Sequence, residues 1–215
     1  MSQRAAFNIF KTYLTTTVLY CQWKSAYFYK MEHTIDILNG ESTFIQACLA
    51  NEEWALKALY QEYYPVMLPV CLRYANNYDD ALDILHEGFI KVFRHISKYK
   101  AGTSLGSWIR RIMINTSIDY YRKVKRRRTE NLETAYGQSI KGADAISDLS
   151  TQEIMKALQS LTPAYRSVFN LYVIEGYSHK EVGELLGITE STSRSNLVKA
   201  RTKLKQILLA KDFER

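Results

Sequence analysis

Apolar residues recur every three or four positions along residues 42–128 and again from residue 151 towards the C-terminal end. This is the spacing of the buried face of an α-helix, and no alternating run bounded by hairpin turns occurs in the chain. Only three prolines and nine glycines interrupt the 215 residues, which also favours helices. We therefore predict an all-α protein without a sheet.

A change of composition separates the two helical stretches. Residues 129–150 hold four acidic residues against one lysine, with several small polar residues and few large apolar ones. Such a segment cannot bury enough apolar surface to form a core and is typical of a linker. We predict two small helical domains, residues 41–128 and 151–213, joined by a flexible acidic linker over residues 129–150.

The first domain is predicted to contain helices over residues 42–76, 79–97 and 107–125. Pro65 and Pro69 predict a bend or break in the first of them, because proline lacks the N–H that a helix needs. The second helix begins with acidic residues, which suit the positive end of the helix dipole. A docking face for a basic partner explains the same acids equally well, so both interpretations stay open.

Capping residues delimit the helices of the second domain. Thr162 and Pro163 fit the N-cap and the first turn of one helix. Ser178 and Glu181 have the spacing of a capping box, and Gly187 stands where a left-handed C-cap residue is needed. A further helix follows directly after this glycine, so the pattern predicts a helix-turn-helix.

The last helix, with Thr189 as its predicted N-cap, has one apolar and one polar, cationic face. The apolar stripe consists of Leu197, Ala200, Leu204 and Leu208, and the other face of Ser191, Arg194, Ser195, Val198, Lys199 and Arg201. A helix in the major groove needs short side chains, phosphate donors and one or two long cations that reach base edges. The pattern favours duplex DNA, although an ordinary amphipathic hairpin with a solvated basic face would show it too.

The net charge of +7 is concentrated between Trp108 and Arg128, where eight basic residues occur with one acid. Tyr120 and Tyr121 lie within this stretch, and Tyr99 precedes it. Cations combined with aromatic rings favour single-stranded DNA, whose bases stack on such rings. For any one residue a solvated charge or a core aromatic is the simpler interpretation, but the density of the whole stretch favours DNA.

Motifs for catalysis or metal binding are absent from the sequence. Cys21, Cys48 and Cys71 are odd in number and lack metal-ligand spacing, and a zinc-protease motif at His86 would need a second histidine where Ile90 stands. We therefore expect no cofactor, no metal and no enzymatic activity. The isolated cysteines suit a reducing cytosol.

Residues 1–40 form an N-terminal extension of unusual composition. Its first 30 residues are rich in aromatics and carry four Lys or Arg residues with no acid. Threonines interrupt the apolar stretch that a secretory signal would need. A basic amphipathic helix on a membrane surface is one alternative. We favour Met31 as the true start, because ordinary acidic helical sequence begins there.

Taken in order, the acidic helix, the tryptophan-bearing basic helix, the acidic linker and the helix-turn-helix resemble the sigma-70 family of bacterial RNA polymerase factors. More narrowly they resemble the extracytoplasmic-function (ECF) class, which keeps only regions 2 and 4. The resemblance covers roughly residues 42–208. Its carriers are DDALDILHEGFIKVFRHISKY, SWIRRIMINTSIDYYRK, LTPAYRSVFNLYVIEGYSHKEVGELLGI and STSRSNLVKARTKLK.

The resemblance implies three sets of binding residues. The set that would dock on the polymerase core is Asp79, Asp80, Asp83, Leu85, His86, Glu87 and Phe93. The set that would open the −10 element and capture a flipped base is Tyr99, Lys100, Trp108, Arg111, Asn115, Asp119, Arg122 and Lys123. The set that would read the −35 element is Ser191, Thr192, Arg194, Ser195, Asn196, Val198, Lys199 and Arg201. His86 and Gly88 depart from the residues usual in the family, so the exact contacts with the polymerase clamp do not transfer. Asn196 and Val198 also depart from them, so promoter preference does not transfer.

The resemblance implies a cytoplasmic ECF sigma factor whose partners are the RNA polymerase core (β′ clamp and β flap), promoter DNA and an anti-sigma factor, with no small-molecule substrate. Two alternatives stay open. One is a helix-turn-helix regulator that binds duplex DNA without polymerase. The other is a sigma-like module that binds an anti-sigma factor and no longer touches DNA.

Overall fold

The structure, a computed structural model, describes residues 41–100, 102–130 and 149–212. These residues form helices and no strand, which confirms the predicted fold class. The N-lobe comprises α1 (Glu41–Leu49), α2 (Glu53–Leu72), α3 (Tyr78–His95) and α4 (Leu105–Glu130). The C-lobe comprises α5 (Leu149–Gln159), α6 (Pro163–Phe169), α7 (His179–Leu186) and α8 (Glu190–Asp212). The predicted N-terminal extension, the Met31 start and linker residues 131–148 lie outside the described residues.

The break predicted at the prolines of the first domain is found elsewhere. Both Pro65 and Pro69 lie inside the continuous helix α2. The chain instead breaks at Asn51, which has a left-handed φ of 58° and separates α1 from α2. A proline inside a helix costs about 3 kcal/mol. In α2 this cost is offset by burial of neighbouring side chains, including Met67 and Leu68, each of which contributes roughly 1.5–3 kcal/mol.

Helix α3 begins at Tyr78, next to the predicted start at residue 79, and a turn separates it from the end of α2 at Leu72. The side chain of Asn77 caps it by accepting a hydrogen bond from the Asp80 N–H at 2.7 Å. Its buried stripe packs on α4, and Gly88 lies against Met113 of that helix. A Cβ on Gly88 would lie 2.3 Å from the Met113 Sδ, and Met113 is itself buried. The absence of a side chain at residue 88 therefore allows α3 and α4 to pack closely.

Helix α4 is longer than predicted and is buried on more than one side. Ile109, Met113 and Ile118, which recur at helical spacing, form its inward face. Thr116 and Ser117 are also buried, and each donates its hydroxyl hydrogen to the carbonyl four residues earlier, at 2.9 and 2.8 Å. Because these polar residues are buried too, other elements must pack against α4 beyond its apolar face. One of these neighbours is the C-lobe.

The capping pattern of the C-lobe is confirmed at each predicted position. Thr162 caps α6, and Pro163 occupies its first turn. At α7 Ser178 and Glu181 form both hydrogen bonds of the capping box, while Gly187 ends the helix with a φ of 61°. The hydroxyl of Thr189 accepts the Thr192 N–H at 3.1 Å at the start of α8. The helix-turn-helix is therefore encoded by local hydrogen bonds.

One feature of the C-lobe is not predicted by the sequence pattern. Helix α6 continues into a turn of π-helix over Asn170–Ile174, in which the Glu175 N–H donates to the Asn170 carbonyl at 2.9 Å. Turns of this kind are rare and are often found at functional positions. Glu175 follows the turn, and its side chain points into the N-lobe.

The two lobes pack against each other. One cluster of buried apolar residues runs through both, with members such as Leu59 and Met113 in the N-lobe and Leu171 and Leu186 in the C-lobe. No sequence pattern predicts this packing, because the contacts join segments far apart along the chain.

Candidate nucleic-acid interface

The outer face of α8 carries the residues predicted to read duplex DNA. Leu197 and Ala200 are buried against the C-lobe core and hold the opposite face towards solvent. The exposed members of the set are Ser191, Thr192, Arg194, Ser195, Val198, Lys199 and Arg201, while Asn196 is half-buried. Within this polar face Val198 is an apolar exception, and 64% of its surface is exposed. A valine held in solvent among cations is available to a base edge.

A buried contact beneath α8 connects it with α7. Ser193 lies on the inner side of α8 and is fully buried, and its hydroxyl shares a 2.9 Å hydrogen bond with His179 Nδ1. The ring of His179 stacks on Tyr172, with centroids 4.1 Å apart. Partial burial, followed by the charge of Arg194, lowers the pKa of His179 from its ordinary value of 6.5. The neutral imidazole is therefore the form that supports α8.

The loop before α4 and the outer side of α4 carry the second predicted set. Lys100, Arg111, Asn115 and Lys123 are exposed. Asp119 is also exposed and accepts a hydrogen bond from Lys91 Nζ of α3 at 3.2 Å. This ion pair, between groups that are partly open to solvent, orients the carboxylate more than it stabilises the fold.

The aromatic residues of this region mostly support the fold. Tyr99 is 8% exposed, packs against Trp108 with ring centroids 5.7 Å apart, and donates its hydroxyl hydrogen to the Thr103 carbonyl. Tyr121 is buried, and Tyr120 is half-buried and donates to Asp80 at 2.6 Å. The prediction that Tyr120 and Tyr121 serve as stacking platforms is therefore wrong. The ring of Trp108 is half-buried and leaves part of its surface to a base, unlike the buried rings of Tyr99 and Tyr121.

The acidic set on α3 divides into exposed and internal residues. Asp79, Asp83, His86 and Glu87 are exposed and form a continuous outer face. Asp80 is tied to Tyr120, and Phe93 packs on Phe89 with ring centroids 6.0 Å apart. Leu85 is fully buried, so its prediction as a residue that touches the polymerase is wrong: its isobutyl group belongs to the N-lobe core.

Arg110 is the residue that the sequence pattern misplaced most clearly. The helical spacing predicts that it lies on the outward face of α4, but its side chain is only 12% exposed. Both oxygens of Glu175 accept hydrogen bonds from Arg110 Nη2 at 2.5 Å, and Arg73 Nη2 donates to the same carboxylate at 3.2 Å. Burial, and then the nearby charge of Arg73, lowers the pKa of Arg110. Because Glu175 lies 65 and 102 residues from these arginines, no local signal could reveal the cluster.

Two cations of α4 are engaged by the C-lobe. Arg122 Nε donates to the Leu185 carbonyl at 3.0 Å, and Lys125 Nζ donates to the Gly187 carbonyl at 3.4 Å. Both acceptors lie where α7 ends and the turn of the helix-turn-helix begins. The helix-turn-helix therefore lies against part of the surface predicted to bind the −10 element.

Other kinds of site find no support in the described part of the chain. Within residues 41–100, 102–130 and 149–212, no three His, Cys, Asp or Glu side chains are placed to hold a metal ion. Over the same residues no helix combines the length and the apolar character that a membrane span requires. Cys48 and Cys71 are free thiols in the N-lobe interior, where burial raises the pKa of Cys48 to about 11.

Comparisons with known proteins agree with this layout. A family model described as Sigma-70 region 2 matches residues 59–128, and one described as Sigma-70, region 4 matches residues 151–204. Each match contains one of the two cationic helices, α4 or α8. The N-lobe and the C-lobe therefore correspond to the two regions in the predicted order.

Two relatives and one solved structure are similar to the chain. The ECF RNA polymerase sigma factor SigE of Mycolicibacterium smegmatis is 35% identical over 150 residues, which make up 63% of this chain and 54% of that protein. The RNA polymerase sigma factor SigV of Bacillus subtilis is 31% identical over 139 residues, 65% of this chain and 81% of that protein. A complex of the sigma factor RpoE with the anti-sigma factor NepR from Bartonella quintana has a TM-score of 0.45 and 22% identity, over 71% of this chain and 97% of that chain.

Both regions match in order, and SigV is covered over most of its length. On these grounds the chain belongs to the sigma-70 family of RNA polymerase sigma factors, in its extracytoplasmic-function class.

Proposed function

We propose that this chain docks on the RNA polymerase core and directs it to promoters, with the C-lobe on the −35 element and the N-lobe on the −10 element. The observation that carries the proposal is the presence of three exposed charged faces on separate helices of a sigma family member. The face on α3 is acidic, and those on α4 and α8 are cationic. Acids suit a basic protein surface and cations suit phosphates, so each face has a partner of opposite charge.

The C-lobe contributes sequence-dependent contacts to duplex DNA. Arg194, Lys199 and Arg201 are exposed along one side of α8 and can neutralise phosphates or reach base edges. Val198, in the middle of this face, offers a methyl surface of the kind that contacts the C5-methyl group of thymine. His179 and Ser193 hold the helix from below and keep this face directed away from the lobe.

The N-lobe contributes contacts to separated strands. Lys100, Arg111 and Lys123 supply charge along the loop and α4, and Asn115 presents an amide that can hydrogen-bond to an unpaired base. The half-buried indole of Trp108 lies at the start of the same helix. Melting the duplex costs stacking and pairing energy, which phosphate neutralisation and capture of an unpaired base offset.

The polymerase performs the chemistry, and this chain supplies docking and DNA contacts. It is accordingly non-enzymatic and acts in the cytoplasm with promoter DNA and the core enzyme as partners. An anti-sigma factor that restrains it stays an expectation from the family resemblance.

Co-elution with the core enzyme tests the docking step. The full chain should elute with purified core polymerase on gel filtration, and the double change Asp83→Asn with Glu87→Gln should weaken the complex, because both carboxylates lie on the exposed face of α3. A matched control removes the same charge from α2 through Glu53→Gln with Glu62→Gln. Failure of the unchanged chain to co-elute, or equal weakening by both pairs, would refute docking through α3.

A further inference from the structure

A lysine of α3 lies between two carboxylates and joins α3 to the outer face of α4. Lys91 Nζ is 3.2 Å from Oδ2 of Asp119 on α4 and 3.1 Å from Oε1 of Glu87, one turn earlier on α3. The Lys91 side chain is 29% exposed, whereas the side chains of Asp119 and Glu87 are 55% and 62% exposed. The ammonium of Lys91 therefore holds a carboxylate that stays open to solvent.

The charges around Asp119 cancel. Arg122 Nη1 lies 3.7 Å from Asp119 Oδ1, so the cations Lys91 and Arg122 stand against the carboxylates of Asp119 and Glu87. DNA phosphates are attracted by net positive charge, which this cluster lacks. An exposed cation elsewhere on α4, such as Lys123, suits a phosphate better. The cluster is therefore suited to directional hydrogen bonds more than to phosphate binding.

The carboxylate of Asp119 can accept further hydrogen bonds. An ionised carboxylate has about four acceptor sites on its two oxygens. Lys91 donates to Oδ2, while Arg122 lies beyond hydrogen-bond distance of Oδ1. Asn115, one turn earlier on the same exposed side of α4, presents an amide next to it. Such an acceptor fits the exocyclic amino group of an unpaired base.

Amino groups distinguish cytosine, adenine and guanine from thymine and uracil. Cytosine presents its N4 amino group as a donor, and Asp or Glu side chains accept from it. Uracil has a carbonyl oxygen in the same place, which repels a carboxylate. A carboxylate held in one orientation therefore selects strongly between the two bases. One that rotates freely can turn away from the carbonyl oxygen and selects less.

We propose that Lys91 is a positioning residue for base capture: it fixes the Asp119 carboxylate so that α4 accepts an unpaired base with an amino group in preference to thymine. The proposal rests on the proposed function, which assigns α4 to separated strands, and adds a residue of α3 that acts through Asp119. Ion pairs that are open to solvent contribute little to stability. Removal of Lys91 therefore changes the orientation of the carboxylate more than it changes folding.

The test measures how the complex of the full chain with core polymerase binds two labelled single strands. These are oligodeoxycytidylate and oligodeoxyuridylate of about 12 nucleotides, a length that suits single-strand binding. Their bases differ at the 4-position, which carries an amino group in one and a carbonyl oxygen in the other. Fluorescence anisotropy at a mildly alkaline pH, where cytosine stays unprotonated, gives both dissociation constants. Core polymerase alone supplies the background.

We expect the unchanged complex to bind oligodeoxycytidylate about fivefold to tenfold more tightly, the lower end of the discrimination that a specific base contact provides. Lys91→Met should lose most of this selectivity, and Lys91→Arg, which keeps the charge, should retain most of it. Lys123→Met is the matched control: it removes one cation of α4 and should weaken binding of both strands by the same factor. Lys91→Gln replaces Lys91→Met if circular dichroism shows a loss of helix.

A double-mutant cycle with Asp119→Ala separates positioning from direct contact with DNA. If Lys91 acts through Asp119, Lys91→Met should leave the selectivity of the Asp119→Ala chain unchanged. A further loss in that background, or full selectivity in the Lys91→Met chain, would overturn the proposal. So would an unchanged complex that binds both strands equally. Binding of neither strand above the level of core polymerase alone would refute the proposed function itself, and this proposal with it.

Discussion

A methyl group on Gly183 would lie 2.8 Å from the Ile188 carbonyl oxygen, inside the turn of the helix-turn-helix. The Ile188 N–H in turn donates to the Gly183 carbonyl at 3.0 Å. The backbone of the turn thus packs directly on α7 at Gly183, because glycine has no side chain to prevent the contact. This contact determines how α8 leaves α7, and therefore where the cationic face of α8 points.

Substitution of Gly183 by alanine should destabilise the chain. The Ile188 carbonyl oxygen belongs to the backbone, which cannot swing away as a flexible side chain can, so we expect a loss of about 1–3 kcal/mol in the free energy of unfolding. Urea denaturation followed by circular dichroism measures it. Gln206→Ala, at an exposed position of α8, is the control and should change stability by less than about 0.5 kcal/mol. Equal stability of the two variants would show that the turn relaxes at no cost.

Leu85 and Asp83 should separate folding from docking, although the family resemblance places both in the polymerase-binding set. Leu85→Ala leaves a cavity in the N-lobe core and should cost about 2–5 kcal/mol of stability. Asp83→Asn changes an exposed carboxylate and should leave the urea midpoint unchanged while it weakens the complex with core polymerase. A stable Leu85→Ala chain with impaired docking would reverse this assignment.

Val198 should discriminate thymine from cytosine at one position of the −35 element. Its exposed methyl groups can contact the thymine C5-methyl, and loss of a contact of that size is worth about 0.8 kcal/mol, or roughly fourfold in affinity. Binding of the polymerase complex to promoter duplexes that differ at single thymines should show this preference in the unchanged chain. Val198→Ala should lose it at one position and keep it elsewhere. A uniform loss across all duplexes would point to a general packing effect.

His179 should make the stability of the C-lobe depend on pH. The pKa of His179 is lowered in the folded chain. Below the ordinary value of 6.5 the unfolded chain therefore binds more protons than the folded chain, and the free energy of unfolding decreases as the pH decreases. Above that value both states are neutral and the residue contributes no slope. His179→Gln keeps a hydrogen-bonding group near Ser193 but cannot titrate. The urea midpoints of the two chains should therefore converge as the pH falls from about 7.5 to about 5.5, the range in which histidine titrates. Urea midpoints that differ by the same amount at every pH would contradict the lowered pKa of His179.

Features encoded within a few residues could be predicted from the sequence. The capping box of Ser178 and Glu181 and the left-handed Gly187 need only neighbours along the chain, and each is found as predicted. The exposed face of α8 follows in the same way from helical spacing. Pro65 and Pro69 do not break α2, because burial of Met67 and Leu68 outweighs the local preference.

Features that depend on distant contacts could not be predicted. Arg110 has the helical spacing of a surface residue, and only the packing of the C-lobe, with Glu175 65 positions away, makes it internal. Tyr121 lies among cations in the sequence and so resembles a stacking platform. Neighbouring elements cover α4 on more than one side, and helical spacing alone does not reveal that Tyr121 is buried there. Leu85 shows that a position inherited from a family pattern can contribute through the core beneath the binding face.

Transcription from genomic DNA fragments by purified core polymerase, with and without the full chain, tests the sigma assignment most directly. We predict discrete run-off transcripts that appear only when the chain is added, and we predict that Asn115→Ala reduces promoter opening more than it reduces binding to closed duplex. The absence of new transcripts, with duplex DNA bound by the chain alone, would contradict the assignment and favour a regulator that acts without polymerase.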